Sequence, residues 1–263
     1  MPQSLSAACR SVLETADPRA KLMRARRVAR DWQLGRLAFS FETPMPDRPA
    51  RPDVPELLPP NRMPKRGRAG SDRARIALLH ALAHIEFVAI DLAFDMAGRF
   101  GGGFPREFAD DWLGVGADEA MHFALLDRRL RQLGSYYGVL PAHDGLWEAA
   151  QTTAGGALAR LAVVPMVLEA RGLDVTPATI ERFTSSGDSA SAAILARIYK
   201  DEIRHVSVGT RWFKQQCAQA GIDPVTHWQT LLKLHFRGSL KPPFNDSARA
   251  ASGLTQDFYK IIA

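Results

Sequence analysis

Two cysteines in 263 residues, Cys9 and Cys217, are too few and too far apart for a disulfide framework, and point to a reducing compartment. Nowhere do about 18 apolar residues run on uninterrupted, as a membrane span needs. Arg10 and Glu14 break the N-terminus before a signal-peptide apolar core can form. These absences predict a soluble, unexported, cytoplasmic protein with no membrane partner. No segment alternates apolar and polar residues as a half-buried strand does, so the fold class expected is all-α. Gly101–Gly103 has no strand before it and no Lys-Ser/Thr after it, which argues against a phosphate loop. Aromatics are only 8% of the chain, and none interleaves with the N-terminal arginines as single-strand nucleic-acid binding requires.

The composition that is present, 46% apolar and 24% charged, is that of a globular protein with a sizeable core. Its net charge of +6 is uneven: residues 1–75 hold 16 Lys/Arg against 8 Asp/Glu, leaving the remainder slightly acidic. The basic region is either a solvated or internally docked face, or a contact for an anionic partner such as RNA.

Helical periodicity marks residues 4–16 and 18–38, separated by Asp17-Pro18. From Phe41 to Gly70, Pro44, Pro46, Pro49, Pro52, Pro55, Pro59, Pro60 and Pro64 impose an extended path, read as an ordered strap anchored by Val54, Leu57, Leu58 and Met63. Four long helices follow: from the N-cap Ser71 to Arg99, from Pro105 to Gly134, from Gly156 to Gly172, and from Asp188 to Ala220. Shorter helices are expected at Pro177–Ser185 and Pro224–Phe236, and a tail at 240–263 packs through Phe244, Phe258 and Tyr259. The expected organisation is N-terminal helices and arm (1–70), a four-helix bundle (71–222), and a C-terminal helix and tail on the bundle (223–263).

The chemistry lies in a repeated pattern. Asp118-Glu119-Ala120-Met121-His122 and Asp201-Glu202-Ile203-Arg204-His205 each place a Glu and a His three apart, on one helix face. Glu86 and Glu169 each interrupt an otherwise apolar run, and a buried carboxylate needs a cation, a hydrogen-bond donor or a metal. Glu86 precedes Glu119 by 33 residues and Glu169 precedes Glu202 by the same 33, so the chain reads as two helix hairpins of one design. Two helices giving one Glu and two giving Glu-x-x-His is the donor inventory of di-metal carboxylate bundles. Glu86, Glu119, His122, Glu169, Glu202 and His205 are therefore the predicted metal ligands. Carboxylate and imidazole without thiolate suit two iron ions, or manganese or a mixed pair.

Asp118 and Asp201 are placed to accept the free ring N–H of a ligand histidine, with Arg204 to neutralise one of them. Tyr199, one turn before Glu202, is either a partner of the ligands or a core tyrosine. His80 and His84 lie off the face of Glu86 and are read as packed rings or outer partners. Pro165, one turn before Glu169, is expected to bend its helix.

At these residues the chain resembles the ferritin-like superfamily, and Asp-Glu-x-Arg-His resembles the motif of multicomponent di-iron monooxygenases. A closer likeness is to the DUF455 family, carried by Leu79–Glu86, Ala117–Phe123, Glu169–Asp174 and the proline-rich arm. This branch is similar to the di-iron tRNA hydroxylases. The resemblance implies that Glu119 and Glu202 bridge the metals while Glu86 and Glu169 are terminal. Leu173 stands where those monooxygenases place a Thr, and Leu126 where radical-generating reductase subunits place a Tyr. Neither the Thr relay nor a tyrosyl radical is therefore carried over.

The function expected is O2-dependent oxidation or hydroxylation of an organic substrate, a small molecule or a tRNA-like one. An electron-donor protein would be required, since no flavin or nicotinamide fingerprint is present, and a homodimer is the assembly envisaged. The alternatives are a ferritin-like iron-oxidising or storage protein and a metal-stabilised RNA-binding protein.

Overall fold

The computed structural model describes residues 2–63 and 70–260. Among these no β-strand occurs, and two isolated bridges, Ser4 with Ala38 and Leu57 with Ala142, are the extent of β pairing. The all-α class is as the sequence predicts. The helices divide by packing into two compact units, 1–147 and 148–263.

In the first unit, α1 (Leu5–Leu13) and α2 (Pro18–Gln33) are capped by Ser4 and Asp17, whose side chains accept from Ala7 and Ala20 N–H. They pack on a long antiparallel pair, α3 (Asp72–Phe100) and α4 (Arg106–Gln132). Ser71 caps α3 by accepting from Ala74 N–H. By length and hydropathy Asp72–Gly103 is apolar enough to cross a membrane, which the search for an uninterrupted run missed. Most of that window, 67%, is buried inside the protein, and the helix carries fully buried Asp91 and Asp95. Lys21 Nζ donates to Asp91 Oδ1 at 2.5 Å, Arg51 also pairs with Asp91, and Arg99 pairs with Asp95. These are the contacts of a core helix.

The proline-rich strap is ordered through Met63; Pro64 lies outside the described residues. Arg10 and Arg99 donate to the carbonyls of Pro44 and Pro46, Trp147 Nε1 donates to Asp47 O, and Ala50 N–H donates to Leu13 O. The anchors differ from those expected. Val54 and Leu57 are exposed, whereas Met45, Pro49 and Pro55 are buried. A prolyl ring buries apolar area without leaving a main-chain donor to satisfy, so it serves where an aliphatic side chain was sought.

The second unit is built on another antiparallel pair. One arm is α6 (Ala157–Val163), a π turn (Val164–Glu169) and α7 (Ala170–Ser185); the other is α8 (Ser189–Ala220), capped by Asp188. The helix expected to stop at Gly172 therefore runs on through Pro177, and no separate Pro177–Ser185 helix exists. α5 (Gly145–Thr152) spans the division between units, and α9 (Pro224–His235), α10 (Asp246–Ala251) and α11 (Gln256–Tyr259) complete the second. The tail packs as predicted: Phe258 and Tyr259 are buried, and Phe244 sits 4.9 Å from the Tyr259 ring.

Candidate metal centre

In the first unit α3 brings Glu86 and α4 brings Glu119 and His122 to one place. All three are buried, and each offers a ligand atom within 4.8 Å of the others. His122 Nδ1 lies 3.2 Å from Glu86 Oε2 and 3.4 Å from Glu119 Oε2. Burial raises the Glu86 carboxyl well above its usual range, the neighbouring Glu119 charge raises it further, and His122 opposes both. Burial disfavours a charged His122, but hydrogen bonds to and the charges of Glu119 and Glu86 outweigh it, pushing the ring up to about 11. Two buried carboxylates thus share one cation, the His122 proton, where a divalent ion would satisfy them more fully. The donor set fits a metal.

Close helix packing sets this geometry. Gly116, one turn before Glu119, faces the Phe94 ring so tightly that an added Cβ would overlap it. The second unit repeats the device. Gly209, one turn after His205, lies against the Pro165 ring, and a Cβ there would again overlap. Both glycines lie next to donors on their own helices, a feature the sequence reading missed.

Also in the second unit, α8 places His205 Nδ1 3.3 Å from Glu202 Oε1, with both residues buried. Glu169 ends the π turn and is half-buried. Such a turn inserts an extra residue into the helix, which re-aims the side chain at its end. Pro165 at its second position lacks the N–H that a regular turn would use. Trp228 Nε1 donates to the Ala162 carbonyl at 3.0 Å, at the entrance to this irregularity.

Asp201 is half-buried and accepts from Arg197 Nε at 2.7 Å, one turn earlier. Asp118 is half-buried and Arg204 is exposed. Tyr199 is half-buried, and Asn245 Nδ2 donates to its hydroxyl at 2.9 Å. His80 and His84 are buried and stack on Tyr137, with ring centroids 5.5 and 6.1 Å away.

A model of the family described as "Protein of unknown function (DUF455)" matches residues 14–260, and the chain belongs to that family. It is 41% identical over 224 residues to a Haemophilus influenzae protein described as uncharacterized, covering 83% of this chain and 77% of that one. No solved structure matches it.

Proposed function

We propose that this protein is a non-haem di-iron oxidoreductase of ferritin-like four-helix design, acting in the cytoplasm on an organic substrate in an O2-dependent oxidation or hydroxylation. Glu86, Glu119, His122, Glu169, Glu202 and His205 are the metal ligands, with manganese or a mixed pair as the alternative filling. The carrying observation is the buried Glu86–Glu119–His122 triad, whose donors lie within 4.8 Å of one another. The like spacing of Glu202 and His205 on α8, at 3.3 Å, supports a second half-site of the same design.

When bound, a reduced metal pair supplies the O2 chemistry. The protein's part is to hold donors of fixed charge in a dry site. Four carboxylates and two neutral imidazoles balance two divalent ions. The proton that His122 Nδ1 shares with Glu86 and Glu119 must leave when a metal takes its place, so loading releases protons. Electrons are assigned to a separate donor protein.

Purified protein should contain two metal ions per chain, and Glu119→Ala or Glu202→Ala should lose at least one. Full metal content in either variant would overturn the ligand assignment. After anaerobic reduction, O2 uptake in proportion to the bound pair supports oxygen activation. Continued uptake of added ferrous ion into a mineral core would mark an iron store instead.

A further inference from the structure

In the second unit the segment between α9 and α10, residues 236–245, lies across the π turn and the start of α7 and leaves a cavity of about 230 Å³. Its walls are mainly apolar, with Val167 and Leu168 of the π turn on one side and Phe236, Leu240 and Phe244 of the segment on the other. The charges around it do not balance. Arg171, Lys241 and Arg249 line it against a single carboxylate, Asp174. Asp174 is committed to Arg249, whose Nε and Nη2 donate to its two oxygens at 2.8 and 2.7 Å. Arg171 lies 3.5 Å from that same carboxylate and donates to the carbonyls of Lys241 and Pro243, and Lys241 is exposed at the rim. Three cations against one anion leave an excess of two positive charges.

One donor is also unmet. Arg249 is 1% exposed, and its Nη1 is buried with no hydrogen-bond partner. The Phe244 and Tyr259 rings cover the guanidinium at 5.0 and 4.6 Å, which offsets part of its charge but supplies no lone pair. Since Nε and Nη2 both face Asp174, Nη1 is the corner of the fork left for the cavity.

We propose that this cavity binds a small aromatic monocarboxylate. One oxygen accepts from Arg249 Nη1, Arg171 and Lys241 balance the charge, and the ring lies against the Phe236 and Phe244 walls. A buried N–H without a partner costs stability, and a charged acceptor offsets that cost best. A single charge suits the site better than a phosphate's two, because the apolar walls would strip water from the second. One water needs roughly 10–15 Å³, so the cavity is about fifteen times larger than that and admits a single ring with its carboxylate. The proposal does not depend on the metal reading, since none of the predicted metal ligands lines this cavity.

The test is equilibrium dialysis of labelled benzoate against the full-length protein as purified, with thermal melts to establish folding. One saturable site per chain is expected, with neutral benzamide, of the same shape, binding about ten-fold or more weaker. Arg249→Lys keeps a cation for Asp174 but removes Nη1, and Leu240→Trp fills the cavity; each should weaken benzoate about ten-fold or more. If Arg249→Lys fails to fold, Leu240→Trp and the benzamide comparison decide. Because carboxylates also ligate metals, Glu119→Ala in the first unit is the control and should bind benzoate within about two-fold of the parent. Benzamide binding as tightly as benzoate, unchanged binding in folded Leu240→Trp, binding lost in Glu119→Ala, or no saturable binding would each overturn the proposal.

Discussion

Histidines on the paired helices α3 and α4 are driven to opposite protonation states by their neighbours. Burial lowers His80 to about 4, and burial reinforced by the Arg51 charge lowers His84 to about 3. Between those values and about 6.5 the unfolded chain binds more protons than the folded one. Their contribution is therefore complete above about pH 6.5 and is lost as pH falls, at up to about 1.4 kcal/mol per pH unit for each ring. His122, raised to about 11, works the other way: its contribution is complete below about 6.5 and is lost as pH rises towards 11. Metal-free protein should thus be most stable near neutrality in urea melts at fixed ionic strength. His122→Gln should flatten the alkaline limb and spare the acid limb; an unchanged alkaline limb would contradict the pairing described. Asp201 poses a different question, since its ion pair with half-exposed Arg197 is worth little by itself. If it also orients a ligand, Asp201→Ala should keep the fold but lower metal affinity or turnover by about 10–100-fold. Unchanged titration and turnover would leave Asp201 as a surface partner of Arg197.

At the level of elements, the sequence signalled the helices with strong ends and lost the one with a weak signal in its middle. Ser71, Asp188 and the prolines at 18, 105 and 224 bracket helices that form within a few residues of their expected bounds. Glu-x-x-His on α4 and α8 was legible because three residues bring both side chains to one face, and those pairs do meet. The helix expected to stop at Gly172 continues through Pro177, which strips the Leu173 carbonyl of its helical donor. The fold restores that donor from far along the chain: Asn245 Nδ2 donates to Leu173 O at 3.2 Å. Asn245 also donates to the Tyr199 hydroxyl, its main-chain N–H donates to Asp174, and its Oδ1 caps α10 by accepting from Ala248 N–H. No local pattern marks such a residue, because all but one of these contacts cross about 45 to 70 positions of sequence. Asn245→Ala is expected to cost about 2–4 kcal/mol, the sum of a lost cap and a reopened buried carbonyl, read from urea unfolding. A loss under about 0.5 kcal/mol would mean that water replaces the amide.

At the scale of the whole molecule the excess positive charge of residues 1–75 remains to be placed, and the fold of the first unit divides it. Lys21 and Arg51 are consumed by Asp91, Arg10 and Arg99 tie down the strap, and Arg48 pairs with Asp144. Among the described residues Arg19, Arg36, Arg62 and Arg73 face solvent, and so does one side of α2, where Arg24, Arg26, Arg27 and Arg30 are exposed while Ala25, Val28, Ala29 and Trp32 turn inward. Arg27 reaches Asp31 at 3.6 Å while itself 84% exposed, a contact of little energetic weight. A row of guanidinium groups on a rigid helix is a fit partner for phosphates, and such contacts release counterions. If the substrate is tRNA-like, RNA binding should weaken steeply with salt, with a log–log slope of about −0.7 to −0.9 per neutralised phosphate. Reversing the charge at Arg24, Arg26, Arg27 and Arg30 should flatten that slope while leaving metal content untouched, since none of them is a ligand. Wild-type protein that binds no RNA above background at about 0.05 M salt, where screening is weakest, would make these arginines a solvated face and direct the search to a small, uncharged substrate.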